Sequence, residues 1–135
     1  MTTQSATARR TAAKDAFDAF LRDCPTSQVL ARISDKWAGL ILSALAPGPQ
    51  RYSDLGRAIA GVSQKMLTQT LRSLERDGLV ERTVTPGVPP RVDYELTDLG
   101  RSLTLLFGSV KEWSESHIAQ MTAAREAYDR ANTPA

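Results

Sequence analysis

The sequence contains a single cysteine, a single histidine and no long run of apolar residues. One cysteine cannot form an internal disulfide, which excludes a secreted scaffold held by disulfides. The lone His117 leaves almost no material for a zinc site or a histidine-based catalytic triad. The apolar stretches are far shorter than a membrane span, and residues 1–10 lack the apolar core of a signal peptide. We therefore expect a small soluble cytoplasmic protein that binds a partner rather than an enzyme.

The composition is that of one folded domain. Hydrophobic residues make up 41% of the chain and charged residues 24%, a composition that allows a packed core. A chain of 135 residues is too short for two domains with separate cores. The chain has seventeen basic and fifteen acidic residues, so its net charge is only +2. A nucleic-acid function therefore cannot be inferred from total charge and depends on where the charges lie.

The first third of the chain indicates helices. Residues 1–13, rich in Thr, Ala and Ser, are expected to form a flexible tail. A short helix over 14–22 follows, with an apolar face formed by Phe17, Phe20 and Leu21. Pro25 can begin a second helix, whose apolar stripe continues to Ala46 before Pro47-Gly48-Pro49 ends it.

The middle of the chain has the order of a helix-turn-helix followed by a hairpin. A helix from about Ser53 and a helix over 63–77 flank the turn at Gly61-Val62, and Gly78 ends the second helix. Two strand-like segments follow, over 79–84 and 91–96, joined by a stiff connection rich in proline and glycine.

Thr97 then caps a long helix to about Asp129. The predicted fold is mainly α with a small β-hairpin: a winged helix-turn-helix with N- and C-terminal dimerisation helices. It forms a single domain over 14–129, and residues 130–135 are expected to be a flexible C-terminal tail.

The helix over 63–77 has an apolar stripe and a polar face suited to DNA. Arg and Lys side chains pair with guanine edges or phosphates, Gln pairs with adenine, and Thr contacts phosphates or thymine methyls. An ordinary solvated helix face is the alternative, but the position between a turn and a hairpin favours DNA. The predicted DNA-binding residues are Arg51, Ser53, Ser63, Gln64, Lys65, Thr68, Gln69, Arg72 and Arg91.

The hairpin adds a second contact. Arg91 follows Pro89-Pro90 at a rigid tip, and an arginine there suits the negative potential of a narrow minor groove. The alternative is that Arg91 pairs with Asp93. For Arg82, on the facing strand, a DNA contact and an ion pair are equally good interpretations.

The long C-terminal helix carries an apolar seam with steps of 4, 3, 4, 3 and 4 residues, which is typical of helices that pair. The predicted dimer interface joins this seam to the first helix: Phe17, Phe20, Leu21, Leu99, Leu103, Leu106, Val110 and Trp113, with His117 at the end of the seam. Packing against the protein's own second helix is the alternative for part of the stripe.

Several segments together closely resemble the HxlR-type transcriptional regulators. They are the run over 63–82, Cys24-Pro25, Asp35-Lys-Trp37, and the segments 51–55, 88–96 and 97–101, so the resemblance extends from Cys24 to about His117. It implies a homodimeric winged helix-turn-helix protein that binds operator DNA. The chain departs from the family at Ser34-Asp35, where small residues are common, and in the longer C-terminal extension over 118–135.

Cys24 is a candidate redox sensor. It precedes Pro25 at a predicted helix start, where free N–H groups and the helix dipole lower a thiol pKa. Arg22 would add to this effect and Asp23 would oppose it. Some regulators of the resembled family use a cysteine in the corresponding motif to sense oxidants or electrophiles. The alternative is a small residue kept for packing.

We therefore expect a sequence-specific transcriptional regulator, cytoplasmic and nucleoid-associated, that acts as a homodimer on a pseudo-palindromic operator. Its partners are double-stranded DNA, a second copy of the chain, and an oxidant or small-molecule effector, with no cofactor, metal or membrane. The alternatives are a MarR-like regulator with a ligand at the dimer interface and a winged-helix protein-interaction module. An enzyme is disfavoured because no nucleophile elbow, phosphate loop or paired metal motif is present.

Overall fold

The computed structural model describes residues 5–134, except the side chain of Leu21. None of the helices in that range combines the length and hydropathy that a bilayer crossing requires. In chain order, the elements of the described range are α1 (Ala6–Asp23), α2 (Pro25–Ile33), α3 (Lys36–Leu45), β1 (Gln50–Arg51), α4 (Tyr52–Ala58), α5 (Gln64–Arg76), β2 (Val80–Thr85), β3 (Arg91–Leu96) and α6 (Asp98–Ala131).

The first helix begins earlier than the sequence predicts. The side chain of Ser5 caps α1 by accepting a hydrogen bond from the Ala8 N–H at 3.1 Å. Alanine has the highest helix propensity, so the Ala-rich segment 6–13 forms the first part of the helix. The start predicted at Lys14 was therefore too late, and the domain limits with their flexible tails stay predictions.

The predicted single helix from Pro25 to Ala46 is wrong, because it divides into α2 and α3. Asp35 separates them: its carboxylate accepts a hydrogen bond from the Trp37 N–H at 2.8 Å and so caps α3. Aspartate favours such a cap over the interior of a helix, since its side chain competes for backbone N–H groups. The segment that departs from the resembled family is therefore a helix boundary.

The three strands form an antiparallel sheet in the order β1-β3-β2. The hairpin pairs Val80 with Leu96 at its base and Thr85 with Arg91 near its tip, which confirms both predicted strands to within one residue. Strand β1 was not predicted, because two residues are too few to show a period. The observed fold confirms the predicted class, mainly α with a small β-wing.

The core lies between α3, α4, α5 and the sheet. It confirms the predicted inner stripe of α5, since Leu67, Leu71 and Leu74 are fully buried. The other large and fully buried side chains are Ile41, Leu42 and Leu45 of α3 and Leu55 of α4. This packing holds one face of α5 against the body and leaves its opposite face exposed.

Hydrogen bonds between Thr97 and the residues that follow α5 hold the start of α6 against the end of α5. Gly78 ends α5 with a φ of +76°, a conformation that favours glycine. The Thr97 hydroxyl donates to the Gly78 carbonyl at 2.6 Å, and the Thr97 N–H donates to the Leu79 carbonyl at 3.1 Å. The same hydroxyl accepts from the Gly100 N–H at 3.1 Å and so caps α6, as predicted. The long helix therefore starts directly on the last residues of the helix-turn-helix.

Candidate nucleic-acid interface

The turn between α4 and α5 is held by Tyr52, a residue that is not among those predicted to be functional. The Tyr52 hydroxyl donates to the Gln64 carbonyl at 3.2 Å and shares a hydrogen bond of 2.8 Å with Thr68 Oγ1. Ser63 caps α5, since its Oγ accepts from the Met66 N–H at 3.1 Å. These bonds fix the N-terminal turn of α5, the part of a recognition helix that enters the major groove.

The predicted DNA-binding residues of this region fall into two groups. Gln64, Lys65, Gln69 and Arg72 are exposed on α5, and Arg51 and Ser53 are exposed at the start of α4. Ser63 and Thr68 instead have structural partners, a backbone N–H and the Tyr52 hydroxyl respectively. Contacts of any of these residues with DNA stay predictions.

A groove between α5 and the wing brings four arginine side chains together. Four arginines line it against one carboxylate, so the groove is electropositive. Its walls are formed by Arg51, Tyr52, Ser53, Thr68, Arg72, Glu75, Arg82, Pro89, Pro90, Arg91, Val92 and Tyr94. Arg82 pairs in register with Tyr94 on β3, which places both on the same face of the sheet.

At the wing tip, Arg91 forms an ion pair with Asp93, the alternative to a DNA contact that the sequence offers. Its Nε lies 2.9 Å from Asp93 Oδ2, and half of the arginine side chain is exposed. Arg91 is also one of the residues that line the groove. A DNA contact by Arg91 stays a prediction, now in competition with Asp93.

The predicted dimer interface is largely an exposed apolar surface. Phe17, Phe20, Leu99, Leu106, Val110 and Trp113 are all exposed, and Trp113 stacks on His117 with ring centroids 4.5 Å apart. Leu103 packs against the core, so the protein's own body takes part of the seam. Phe107, which lies off the seam and was not predicted, does the same beside Gly39 of α3. The side chain of Leu21 lies outside the described part of the chain.

Cys24 forms the corner between α1 and α2. Its N–H donates to the Phe20 carbonyl at 2.9 Å, and it occupies the N-cap position of α2 before Pro25. The N–H groups of Ser27 and Thr26 lower the pKa of the thiol, and desolvation opposes this effect only in part. This arrangement favours the thiolate, as the sequence position suggested.

A family model for the HxlR-like helix-turn-helix matches residues 32–122. The chain belongs to that family. It is 42% identical over 107 residues to the uncharacterized HTH-type transcriptional regulator YtfH of Escherichia coli, covering 79% of this chain and 85% of the relative.

Solved structures agree with this assignment. The putative transcriptional regulator ytfH from Salmonella typhimurium shares 43% identity with a TM-score of 0.70, over 78% of this chain and 94% of that one. The reduced form of the redox regulator HypR shares 37% identity with a TM-score of 0.70, over 74% of this chain and 99% of that one.

This protein is thus a transcriptional regulator of the winged helix-turn-helix type. The match also confirms the resemblance to the HxlR-type regulators that the sequence shows. The relatives named here carry the name of transcriptional or redox regulators. The family model begins at residue 32 and ends at 122. Cys24 and the last turns of α6 therefore lie outside the part that defines the family.

Proposed function

We propose that this HxlR-like regulator binds a pseudo-palindromic operator as a homodimer, with α5 in the major groove. The observation that carries the proposal is the exposed polar face of α5, which bears Lys65, Gln69 and Arg72. Arg72 also lines the groove between α5 and the wing, together with three other arginines. Arginine and glutamine make bidentate contacts with guanine and adenine edges, while lysine neutralises phosphates.

The wing extends this surface to the neighbouring minor groove. Its tip carries two prolines and Arg91, and a narrow minor groove attracts arginine through its negative potential. The Nε of Arg91 is paired with the Asp93 carboxylate. If Arg91 contacts a DNA phosphate, it therefore gives up this charge-assisted bond and forms a similar one with the phosphate. We therefore assign the main sequence preference to α5 and a supporting role to the wing.

The exposed apolar side chains of α1 and α6 support the proposed homodimer. A two-fold dimer presents two copies of α5 to half-sites about 34–36 Å apart, one turn of DNA. Exposed apolar side chains in this number are typical of a protein interface.

The effector proposal concerns Cys24. The thiol has a lowered pKa, lies at the corner between α1 and α2, and is the one cysteine of the chain. The similar protein HypR is named a redox regulator. We propose that modification of the Cys24 thiolate by an oxidant or electrophile changes operator affinity. With one cysteine per chain, the oxidised products are an intersubunit disulfide, a mixed disulfide or a sulfenic acid.

The DNA proposal is tested with alanine variants of Arg72, Gln69 and Lys65. The affinity of each variant is measured for an operator selected from genomic fragments by the native protein, and for random DNA. Loss of a base contact costs about 1–3 kcal/mol on the operator alone, so Arg72→Ala and Gln69→Ala should weaken operator binding more than random binding. Lys65→Ala should weaken both similarly and lower the salt dependence. Arg125→Ala removes one positive charge from the exposed end of α6 and serves as the matched control.

Equal losses on both DNAs for Arg72 and Gln69, or losses no larger than that of Arg125→Ala, would contradict the assignment of the DNA-binding face.

The effector proposal is tested separately, by operator binding before and after diamide for the native protein and for Cys24→Ser. Unchanged affinity of the native protein, with mass spectrometry showing a modified thiol, would assign Cys24 a purely structural role.

A further inference from the structure

The wing carries one charged residue on the otherwise apolar face of its hairpin. Arg82 pairs in register with Tyr94, and Val80 and Val84 lie two positions away on the same strand. Because side chains alternate across a strand, these four residues lie on one face of the sheet. Val80 and Tyr94 are buried, whereas Arg82 is exposed and lines the groove between the wing and α5. Arg82 therefore lies where the core ends and the groove begins.

This arginine has no carboxylate partner within the chain. Among residues 5–134, no ion pair includes either Arg82 or the one carboxylate that lines the groove, Glu75. Of the four arginines that line the groove, only Arg91 is paired, with Asp93. The groove thus keeps an excess of positive charge, which favours an anion as its occupant.

The row of α5 that borders the groove differs from the row proposed to read bases. Thr68, Arg72 and Glu75 line the groove and follow one another at steps of four and three residues, so they form one row along the helix. Lys65 and Gln69 are exposed on α5 but are not among the residues that line the groove. Of the three residues proposed to contact DNA on α5, Arg72 alone belongs to both surfaces. The groove is therefore a second surface beside the reading face.

The place of this groove matches that of a DNA strand. In B-DNA, a sugar–phosphate strand separates the major groove from the neighbouring minor groove. A protein with α5 in the major groove and the wing at the next minor groove therefore encloses that strand between the two elements. The strand carries negative charge at every nucleotide, and arginine is a common partner of its phosphates.

We propose that the groove between α5 and the wing holds one DNA strand by its phosphates, with Arg82 as a phosphate-binding residue and Glu75 as the charge that opposes this binding. This inference rests on the proposed function and gives it a part that is independent of sequence. Phosphates are the same at every base pair, so Arg82 adds affinity without preference for the operator. Glu75 repels the strand that Arg82 attracts, and so limits the affinity for any DNA.

Replacing Arg82 tests the attractive contact. The side chain is exposed and has no ion pair to lose, so Arg82→Ala leaves the core intact. We expect this variant to bind the selected operator and random DNA about 10-fold more weakly by a similar factor on each. Between about 50 and 200 mM salt, the slope of log affinity against log salt should fall by about 0.9 for each bound copy. Arg82→Lys keeps the charge and should keep the native slope.

Replacing Glu75 tests the opposing charge. Glu75→Gln removes one negative charge and should raise the affinity for both DNAs about 2- to 5-fold. Arg125→Ala and Glu126→Gln are the matched controls, because they make the same changes of charge at exposed positions near the end of α6. Both controls should leave the two affinities and the salt slope at their native values.

An unchanged salt slope for Arg82→Ala, or a loss confined to the operator, would overturn the phosphate contact while the reading role of Gln69 and Arg72 stands. Glu75→Gln that binds no more tightly than Glu126→Gln would overturn the opposing role of Glu75. Inorganic phosphate, added at constant ionic strength, separates a free anion from the DNA strand as the occupant. If it displaces DNA from the native protein but not from Arg82→Ala, the groove is a site for free phosphate and the strand assignment is wrong. A native protein without sequence preference would instead contradict the reading face, and the salt slopes would still decide the groove.

Discussion

Replacing Gly100 by alanine is expected to destabilise the fold at the start of α6. A Cβ there would collide with the Leu79 carbonyl oxygen and would lie 3.1 Å from the Leu79 carbonyl carbon and 3.3 Å from Leu96 Cδ2. The Leu79 carbonyl cannot rotate away, because it accepts the Thr97 N–H at 3.1 Å. The clash is therefore relieved only by moving α6 away from the end of α5.

The magnitude follows from two opposing contributions. Extra atoms forced into a well-packed region cost about 1–3 kcal/mol, and a contact with fixed backbone belongs at the upper end. Alanine in a helix gains at most about 1 kcal/mol over glycine. We expect Gly100→Ala to lower the free energy of unfolding by about 2 kcal/mol.

Gly108→Ala is the matched control on the same helix. A Cβ at Gly108 has no described atom within 4 Å, so that variant should gain about 0.5–1 kcal/mol from helix propensity alone. Urea unfolding followed by far-ultraviolet circular dichroism measures both, at one protein concentration because a dimer's stability depends on it. Equal stability of the two variants would refute the close approach of α6 to Leu79.

Three further outcomes are expected. Tyr52→Phe removes the hydroxyl that bonds Thr68, and urea unfolding should show a loss of about 1 kcal/mol, whereas unchanged stability would contradict a role for that bond. Thr97→Ala removes the cap of α6 and its bond to Gly78, and should cost about 1 kcal/mol in the same assay; a neutral result would contradict the cap. For Cys24, the pH midpoint of iodoacetamide alkylation should be lower in the folded than in the urea-unfolded protein, because the folded thiol pKa is lowered; coincident midpoints would contradict this. The stability linked to that thiolate is present above the unfolded pKa and is lost as the pH falls through the folded pKa.

The sequence predicts the helix-turn-helix and the wing well because both have strong local signals. The leucine stripe of α5 has a clear helical spacing, and β3 alternates apolar and polar residues. Gly78 and Thr97 mark the ends of elements through their backbone and capping chemistry. These features locate the polar face of α5, and hence most of the candidate DNA-binding surface, without the structure.

The remaining features depend on information that local patterns do not carry. The break at Asp35 interrupts an apolar stripe that continues on both sides, so periodicity alone joins α2 and α3. The start of α1 lies in Ala- and Thr-rich sequence without an apolar period. The Tyr52–Thr68 bond connects residues sixteen positions apart, and the choice of Asp93 by Arg91 depends on the strand geometry. Tertiary geometry thus decides which polar side chains of the candidate DNA-binding surface already have a partner within the chain.

The central claim is that two copies of α5 contact one two-fold DNA site. Selection of bound fragments from the source genome by the purified protein, followed by footprinting of the enriched sequence, tests it most directly. The account predicts a pseudo-palindrome whose half-sites are about one helical turn apart, near 34–36 Å, each protected where α5 enters the major groove. Enrichment of no common sequence, or a single protected half-site bound by one copy, would contradict it.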